Sequence, residues 1–133
     1  MKEAVLLLLE KEGKILFGRR AATRTSLPNK WSLPSETIEK GQTKEDAVKH
    51  CAKHELGLDV GTIELLEERP INKDGEEKVL YFFNVSYTGE PSIMAKEELT
   101  ELESLSFKDF FAKYTDEQIG HGLQYLRKKL GFS

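Results

Sequence analysis

The sequence predicts an α/β (α+β) fold in which a mixed β-sheet is flanked by helices, and three observations support this. β-Prone runs recur along the chain, and residues 3–9 and 78–87 are the richest in Val, Leu and aromatic side chains. Residues 44–56 have helical periodicity, and a second amphipathic segment covers residues 115–129. The length of 133 residues, with no repeat or linker, predicts one domain over residues 1–133.

The strands are predicted from apolar runs that turn residues separate. Residues 3–9 are typical of a buried central strand, and a turn at 12–14 leads into a return strand at 15–17. Residues 19–30 carry four positive charges among Thr, Ser and Pro, which predicts a loop, and a short strand at 31–33 ends at Pro34. Further strands are expected at 59–69, 78–87 and 99–107, with a hairpin turn at 72–75 and a loop at 88–98.

The central helix has recognisable start and stop signals. Thr43 is a suitable N-cap, and Gly57 is a suitable C-cap. A short helical turn is expected at 108–112 and a longer helix at 115–129. The stripe of the central helix that should face inward has the spacing i, i+3, i+4 and i+7 and consists of Val48, Cys51, Ala52 and Glu55.

Composition excludes several classes of partner. The net charge of −3 and the interspersed acidic and basic residues do not favour binding to bulk nucleic acid. The single cysteine, Cys51, excludes an intramolecular disulfide, so we expect a reducing, cytoplasmic location. The apolar run at 4–9 is shorter than a signal sequence or a membrane span, so no membrane partner is expected.

Residues 31–58 resemble the Nudix box with its preceding strand. The family pattern is G-x5-E-x7-R-E-U-x-E-E-x-G-U, where U is aliphatic, after a Trp-x-Leu-Pro-Gly segment. The register fits without a gap, and the chain is similar to MutT-like Nudix hydrolases over nearly its whole length. The resemblance implies an α/β/α sandwich with a mixed sheet. The matching positions are Trp31, Leu33, Pro34, Gly41, Thr43, Ala47, Glu55, Gly57 and Leu58.

The box at residues 36–58 is degenerate. Only Glu55 remains of its four glutamates, and His50, in the place of the family's Arg, has no box glutamate to orient. The replacements are Glu36 for Gly, Gln42 for Glu, His50 for Arg, Cys51 for Glu and His54 for Glu.

The resemblance implies hydrolysis of a diphosphate linked to another group, with Mg²⁺ or Mn²⁺ held by the box glutamates. Mg²⁺ requires oxygen ligands in near-octahedral geometry. Replacing two carboxylates by a thiol and an imidazole is expected to lower the affinity for the metal ion by a factor of ~10 or more for each ligand. We therefore expect the usual magnesium-dependent hydrolysis to be weak or lost, with Mg²⁺ or Mn²⁺ as the cofactor if activity survives.

The candidate catalytic and metal residues lie on the helix and in the loop before the last strand. Glu55 is the candidate metal ligand and catalytic group, and its alternative is a structural ion pair. Glu98, or its neighbour Glu97, is a candidate outside carboxylate by analogy with the family. Cys51, His54 and Glu55 share one helix face and are candidate ligands for a softer metal such as Zn²⁺, the alternative being a core thiol and surface imidazoles.

The candidate substrate-binding residues are Arg20, Arg19 and Trp31. Guanidinium groups suit phosphate recognition, and an indole can stack on a nucleobase. Arg24 and Lys30 extend the basic loop, and surface charge is their alternative role. For Trp31 the alternative is a place in the core.

Three functions remain open at this stage. The first is binding of a nucleoside diphosphate derivative or a related phosphorylated small molecule without efficient hydrolysis. The second is an active pyrophosphohydrolase that uses Glu55 with carboxylates outside the box. The third is a non-enzymatic protein-interaction module, which an exposed apolar patch on the terminal helix or around Phe107, Phe110 and Phe111 would favour. Nudix domains often dimerise, so the resemblance also implies a homodimer as one assembly.

Overall fold

The chain folds as a mixed β-sheet with helices on both faces, as the computed structural model shows for residues 2–25, 27–73 and 75–132. The helices are α1 (Lys44–Leu56), α2 (Phe107–Lys113) and α3 (His121–Leu130), with a 3₁₀ turn at Asp116–Gln118. The strands are β1 (Lys2–Lys11), β2 (Lys14–Arg20), β3 (Trp31–Ser32), β4 (Ser35–Thr37), β5 (Asp59–Lys73), β6 (Glu76–Thr88) and β7 (Leu99–Leu105).

Strand β1 organises the sheet. It pairs in parallel with β6 and antiparallel with β4, and its far end forms a hairpin with β2. Strand β5 pairs antiparallel with β6 on the outer side, whereas β2 carries β3 and β7. The turn between β1 and β2 has positive φ at Glu12 and Gly13, as a tight hairpin requires. The predicted mixed sheet with flanking helices is confirmed.

Both faces of β1 are buried, and each face belongs to a different core. Val5, Leu7 and Leu9 point toward α1. Leu6 and Leu8 point toward the side on which α2 and α3 pack. Because successive side chains of a strand point to opposite faces, one continuous apolar run serves both layers.

The structure differs from the predicted elements in several places, among them β7, which ends at Leu105 rather than at 107 because α2 begins at Phe107. Strand β4 follows Pro34 and was not predicted, because three residues of Ser, Glu and Thr carry no apolar signal. The last helix begins at His121 rather than at 115, since Thr115 instead caps the separate 3₁₀ turn. Strand β5 continues to Lys73, and Asp74 of the predicted turn at 72–75 lies outside the described residues.

None of the helices in the described ranges is both long and apolar enough to cross a membrane.

Candidate functional site

Helix α1 is fixed at both ends by its own sequence. The Thr43 hydroxyl accepts from the Asp46 amide at 3.0 Å, and the Asp46 carboxylate accepts from the Thr43 amide at 3.1 Å. This reciprocal capping box satisfies two amides that a helix start leaves unpaired. Gly57 ends the helix with φ of 70°, in the left-handed region that glycine adopts without strain. The predicted caps are confirmed, and they set the register of the site residues on α1.

The loop before β7 packs against the C-terminal end of α1. The Met94 amide donates to the carbonyl of Glu55 at 2.8 Å, and the Ser92 amide donates to the carbonyl of Leu56 at 3.2 Å. The Glu98 carbonyl accepts from the Ala21 amide at 2.9 Å, at the end of β2. These backbone contacts bring the Glu98 side chain close to α1.

A mixed group of donors lies between β4 and α1. One oxygen of Glu36, the Cys51 sulfur and one oxygen of Glu55 all lie within 4.8 Å of one another. The Cys51 thiol donates to Glu55 Oε2 at 3.5 Å. Cys51 is fully buried and Glu55 is only 5% exposed, as their positions on the predicted inward stripe require.

Burial perturbs both titratable groups on the helix. Removal from water, and secondly the charge of Glu98, raises the pKa of Glu55 to about 8. Removal from water, with the negative charges of Glu55 and Glu36, also raises the pKa of the Cys51 thiol well above its ordinary value. The ionised forms of these groups are therefore disfavoured unless positive charge approaches them.

At the positions where the Nudix box has its Arg and its opening Gly, this chain has His50 and Glu36, which contact each other. His50 Nδ1 lies 2.7 Å from Glu36 Oε1. The box glutamate that the family's Arg would orient is replaced in this chain, and His50 instead contacts a glutamate at the opening position of the box. Two of the replacements are therefore coupled in space.

His54 lies at the edge of the donor group. Its ring stacks on His50 with centroids 5.2 Å apart, and its Nε2 lies 4.0 Å from Glu98 Oε2. Glu98 Oε2 is buried and has no hydrogen-bond partner among the described residues. The candidate carboxylate outside the box is thus close to Glu55, whereas His54 does not join Glu36, Cys51 and Glu55 in their close group.

Gln42, in the place of the first box glutamate, has a structural contact. Its side-chain oxygen accepts from the Glu39 backbone amide at 2.9 Å, and its backbone amide donates to the Glu39 carbonyl at 3.0 Å. The residue closes the turn before α1, a task for which a neutral amide suffices.

The two adjacent arginines of β2 point to opposite sides. Arg20 is only 8% exposed. Burial, and secondly the charge of Arg24, lower its pKa, whereas the charges of Glu55 and Glu98 raise it. Arg19 instead contacts the Asn29 carbonyl at 3.3 Å and Glu101 at 3.6 Å. Only Arg20 of this predicted pair therefore lies near the donor group.

Trp31 lies in the core. It is 6% exposed and packs against Phe110 and Tyr114, with ring centroids 6.4 and 5.1 Å away. Its edge lines a shallow recess together with Arg19, on the side of β2 away from Arg20. Base stacking by Trp31 stays a prediction, and its contacts in the structure are packing contacts.

A cleft of about 330 Å³ opens beside Glu36 and Arg20. Its floor is aliphatic, with Leu6 and Leu80 of the sheet, and the start of α3 forms part of its wall. The ionisable side chains that line it are Lys2, Arg20, Arg24, Lys78 and His121, with Glu36 and Glu76 as the acidic members. The cations outnumber the carboxylates, so the cleft suits an anionic ligand.

The donor group does not fit magnesium. Mg²⁺ selects oxygen ligands and near-ideal octahedral geometry, whereas one of the three close donors is a thiol. The two helix positions where the family has further glutamates present the buried Cys51 and a half-exposed imidazole. This arrangement therefore does not support a hydrolytic step through a magnesium ion.

Sequence reasoning missed part of this site. Glu36 was noted only as a departure from the box, although an acidic residue two positions after Pro34 faces the helix that it precedes. Lys2 and Lys78 were not considered, because they belong to strands that the parallel β1–β6 pairing places side by side. A parallel register between distant segments leaves no local signal in the sequence.

Comparisons with known proteins agree with this architecture. The family model described as the NUDIX domain matches residues 2–126. No curated protein matches the sequence.

Solved structures of similar fold include a MutT NUDIX hydrolase from Burkholderia pseudomallei, with 19% identity, a TM-score of 0.79 and coverage of 93% of each chain. Others are a MutT protein from Methanosarcina mazei Go1, with 15% identity, a TM-score of 0.74 and coverage of 90% of this chain and 84% of that one, and a MutT protein from Bacillus halodurans, with 18% identity, a TM-score of 0.73 and coverage of 96% and 80%. At these identities the structures establish likeness of fold, and the family model establishes membership. The chain belongs to the NUDIX domain family.

Proposed function

We propose that the protein binds a nucleoside diphosphate derivative or a related phosphorylated small molecule in the cleft, and that the magnesium-dependent pyrophosphate hydrolysis of the family is weak or lost. The observation that carries the proposal is the excess of cationic side chains around a cleft that borders a site with an altered donor set. The cleft volume of about 330 Å³ suits a small molecule rather than a polymer.

The charge of the cleft supports an anionic ligand. Lys78 is partly buried, and burial is the first cause that lowers its pKa; the charge of Glu76 raises the pKa, and the smaller effects of Lys2 and Arg20 lower it. Glu76 pairs with Lys2 at 3.3 Å, so the positive charge that supports an anionic ligand comes chiefly from Arg20, Arg24 and Lys78. Arg20 and Arg24 can offer the planar donor pairs that phosphate oxygens accept.

The reduced donor set supports weak hydrolysis. Glu55 is the box carboxylate that remains, and the close donor group around it offers a thiol and one further carboxylate. Mg²⁺ requires more oxygen ligands than this group supplies.

The proximity of Glu98 to Glu55 is the observation that favours the second candidate, an active pyrophosphohydrolase. The outside carboxylate that such an enzyme needs is at hand. The interaction module lacks comparable support, because Phe110 and Phe111 are buried and Phe107 packs against the core. On the terminal helix Leu123 and Leu126 are also buried, and Leu130 is exposed at its end.

The proposal extends to the setting of the protein. A cytoplasmic location agrees with a buried, reduced Cys51. A small-molecule ligand, rather than bulk nucleic acid or a membrane, agrees with the small cleft and the net charge of −3. A homodimer stays a prediction, which light scattering of the purified protein would test.

Titration calorimetry with a panel of nucleoside diphosphates, nucleoside diphosphate sugars and inorganic pyrophosphate tests the binding. We expect at least one of them to bind, and Arg24→Ala to weaken its Kd by about tenfold, since a charge-assisted contact is lost. Lys108→Ala removes an exposed cation from α2, outside the cleft, and should leave Kd unchanged. No binding by any of these ligands, or equal losses in the two variants, would overturn the proposal.

A phosphate-release assay with the same panel and Mg²⁺ or Mn²⁺ separates the two candidates. Weak or no turnover is expected. Efficient turnover that disappears in Glu55→Gln would establish the active pyrophosphohydrolase instead.

A further inference from the structure

We propose that Glu36, Cys51 and Glu55 form a binding site for a borderline-soft divalent metal ion such as Zn²⁺, where the family's box would hold magnesium. The site uses a carboxylate from β4 and a thiol and a carboxylate from adjacent turns of α1. The site shares Glu36 with the cleft, but its metal binding can be measured without any phosphorylated compound, so the two proposals can fail separately.

The spacing of the two donors on α1, Cys51 and Glu55, matches a tetrahedral ion. Zn–S and Zn–O bonds of about 2.3 and 2.1 Å at the tetrahedral angle place the two ligand atoms about 3.6 Å apart. The Cys51 sulfur and Glu55 Oε2 are 3.5 Å apart. Their i, i+4 spacing on one helix face holds this distance.

The third donor is held by the sheet. Glu36 pairs with Val5 of the central strand, so its backbone position is set by β1. His50 Nδ1 contacts one oxygen of Glu36 at 2.7 Å. Hydrogen-bonded partners of this kind orient carboxylate ligands in metal sites. The replacements at the box Gly and Arg positions thus act together to present a carboxylate to Cys51 and Glu55.

A second observation points independently to a ligand at this place. Glu98 Oε2 is buried without a hydrogen-bond partner among the described residues, and its charge acts on both Cys51 and Glu55. A buried carboxylate oxygen without a partner is costly. A metal ion in the donor group would supply further positive charge beyond His54, whose Nε2 lies 4.0 Å away, and Glu98 would act as a partner of metal-bound water.

The chemistry of the set selects the kind of ion. A thiolate prefers Zn²⁺ and similar transition metals over Mg²⁺, whereas the two carboxylates accept either class. Arg20, Arg24 and His54 also face the carboxylates of this group and represent the rival source of positive charge. If they neutralise the group fully, no metal binds, which makes the proposal testable.

Cobalt substitution tests the site directly. Protein purified without an affinity tag and stripped of metal is titrated with Co²⁺, and its absorption spectrum is recorded. We expect a sulfur-to-cobalt charge-transfer band in the near ultraviolet, which Zn²⁺ abolishes at one equivalent. Cys51 is the only cysteine, so the band assigns the ligand by itself. A thermal shift on adding Zn²⁺ gives a second readout.

Matched variants decide whether the named residues are the ligands. Glu36→Gln should weaken Co²⁺ binding by at least tenfold, whereas Glu39→Gln, an exposed carboxylate in the same connection, should leave it unchanged. Cys51→Ala should remove the band, and its circular dichroism spectrum and Tm in the absence of metal report whether it still folds. His54→Ala should retain the band.

Three results would overturn the proposal. They are the absence of a charge-transfer band and of a Zn²⁺-induced thermal shift in the wild-type protein, wild-type affinity in Glu36→Gln, or a Mg²⁺-induced shift that survives in Cys51→Ala.

Discussion

Glu55 shows how strongly a single side chain depends on its surroundings. A carboxylate that is 5% exposed has a thiol as its hydrogen-bond partner and the charge of Glu98 close by. Burial is the largest of the effects that raise its pKa, which reaches about 8. In the metal-free protein the group is therefore mostly protonated at pH 7, and deprotonation opposes folding.

The stability of the metal-free protein should consequently fall as the pH rises. Between an unfolded pKa near 4.5 and a folded pKa of about 8, the folded state holds the proton that the unfolded state has lost. The free energy of unfolding should then decrease by up to about 1.4 kcal/mol per pH unit. Urea denaturation at several pH values between 5 and 8, with a chelator present, measures this slope.

Glu55→Gln is the control for that slope. An amide of the same shape does not titrate, so the variant should lose most of the decrease in stability above pH 5. The lowered pKa values of Asp46 and Glu103 place their titration below this range, so they do not contribute there. A wild-type stability that is flat or rises from pH 5 to 8 would contradict the assignment.

At the scale of elements, α1 was the most predictable part of the molecule, and the connections around it were the least. Its caps, its length and its buried stripe follow from local rules that the sequence displays directly. Strand β4 has no such signal, and the opposite directions of Arg19 and Arg20 follow only from the strand alternation of β2. The pairing of Glu36 with His50 needed the three-dimensional path of the chain.

The N-cap of α1 makes a measurable contribution to the free energy of unfolding. Thr43→Ala removes the hydroxyl that accepts from the Asp46 amide, and should lower the free energy of unfolding by about 1 kcal/mol. Thr43→Ser keeps the hydroxyl and should differ little from the wild type. Equilibrium denaturation in urea compares the three proteins, and equal losses in Ala and Ser variants would mean that the cap contributes nothing.

For the whole molecule, the decisive feature is that two cores share one strand. The α1 side contains Leu7 and Leu56, and the opposite side contains Leu6 and Trp31. Because β1 contributes to both, loss of packing in one layer removes support from the other. The apolar run of β1 predicted a buried central strand, and the family resemblance implied the layers on its two faces. Neither indicated the strand order, which depends on the parallel contact with β6.

Trp31 offers a direct test of this coupling. It is the only tryptophan and lies on the α2 and α3 side. Leu56→Ala, on the α1 side, leaves a cavity and should lower the free energy of unfolding by about 2–5 kcal/mol. Tryptophan fluorescence should report the same shifted midpoint as circular dichroism. A fluorescence transition that does not move would show that the layers unfold independently.

The parallel pairing of β1 with β6 also has a consequence for folding during synthesis of the chain. During synthesis β1 leaves the ribosome first, yet its long partner follows only after α1 and β5 have been made. The apolar residues 4–9 therefore spend that interval without the strand that covers their backbone groups. Pairing between such distant segments is slow, and an exposed apolar strand is prone to associate with other chains. The chain is thus most prone to association before the β5–β6 hairpin has been made.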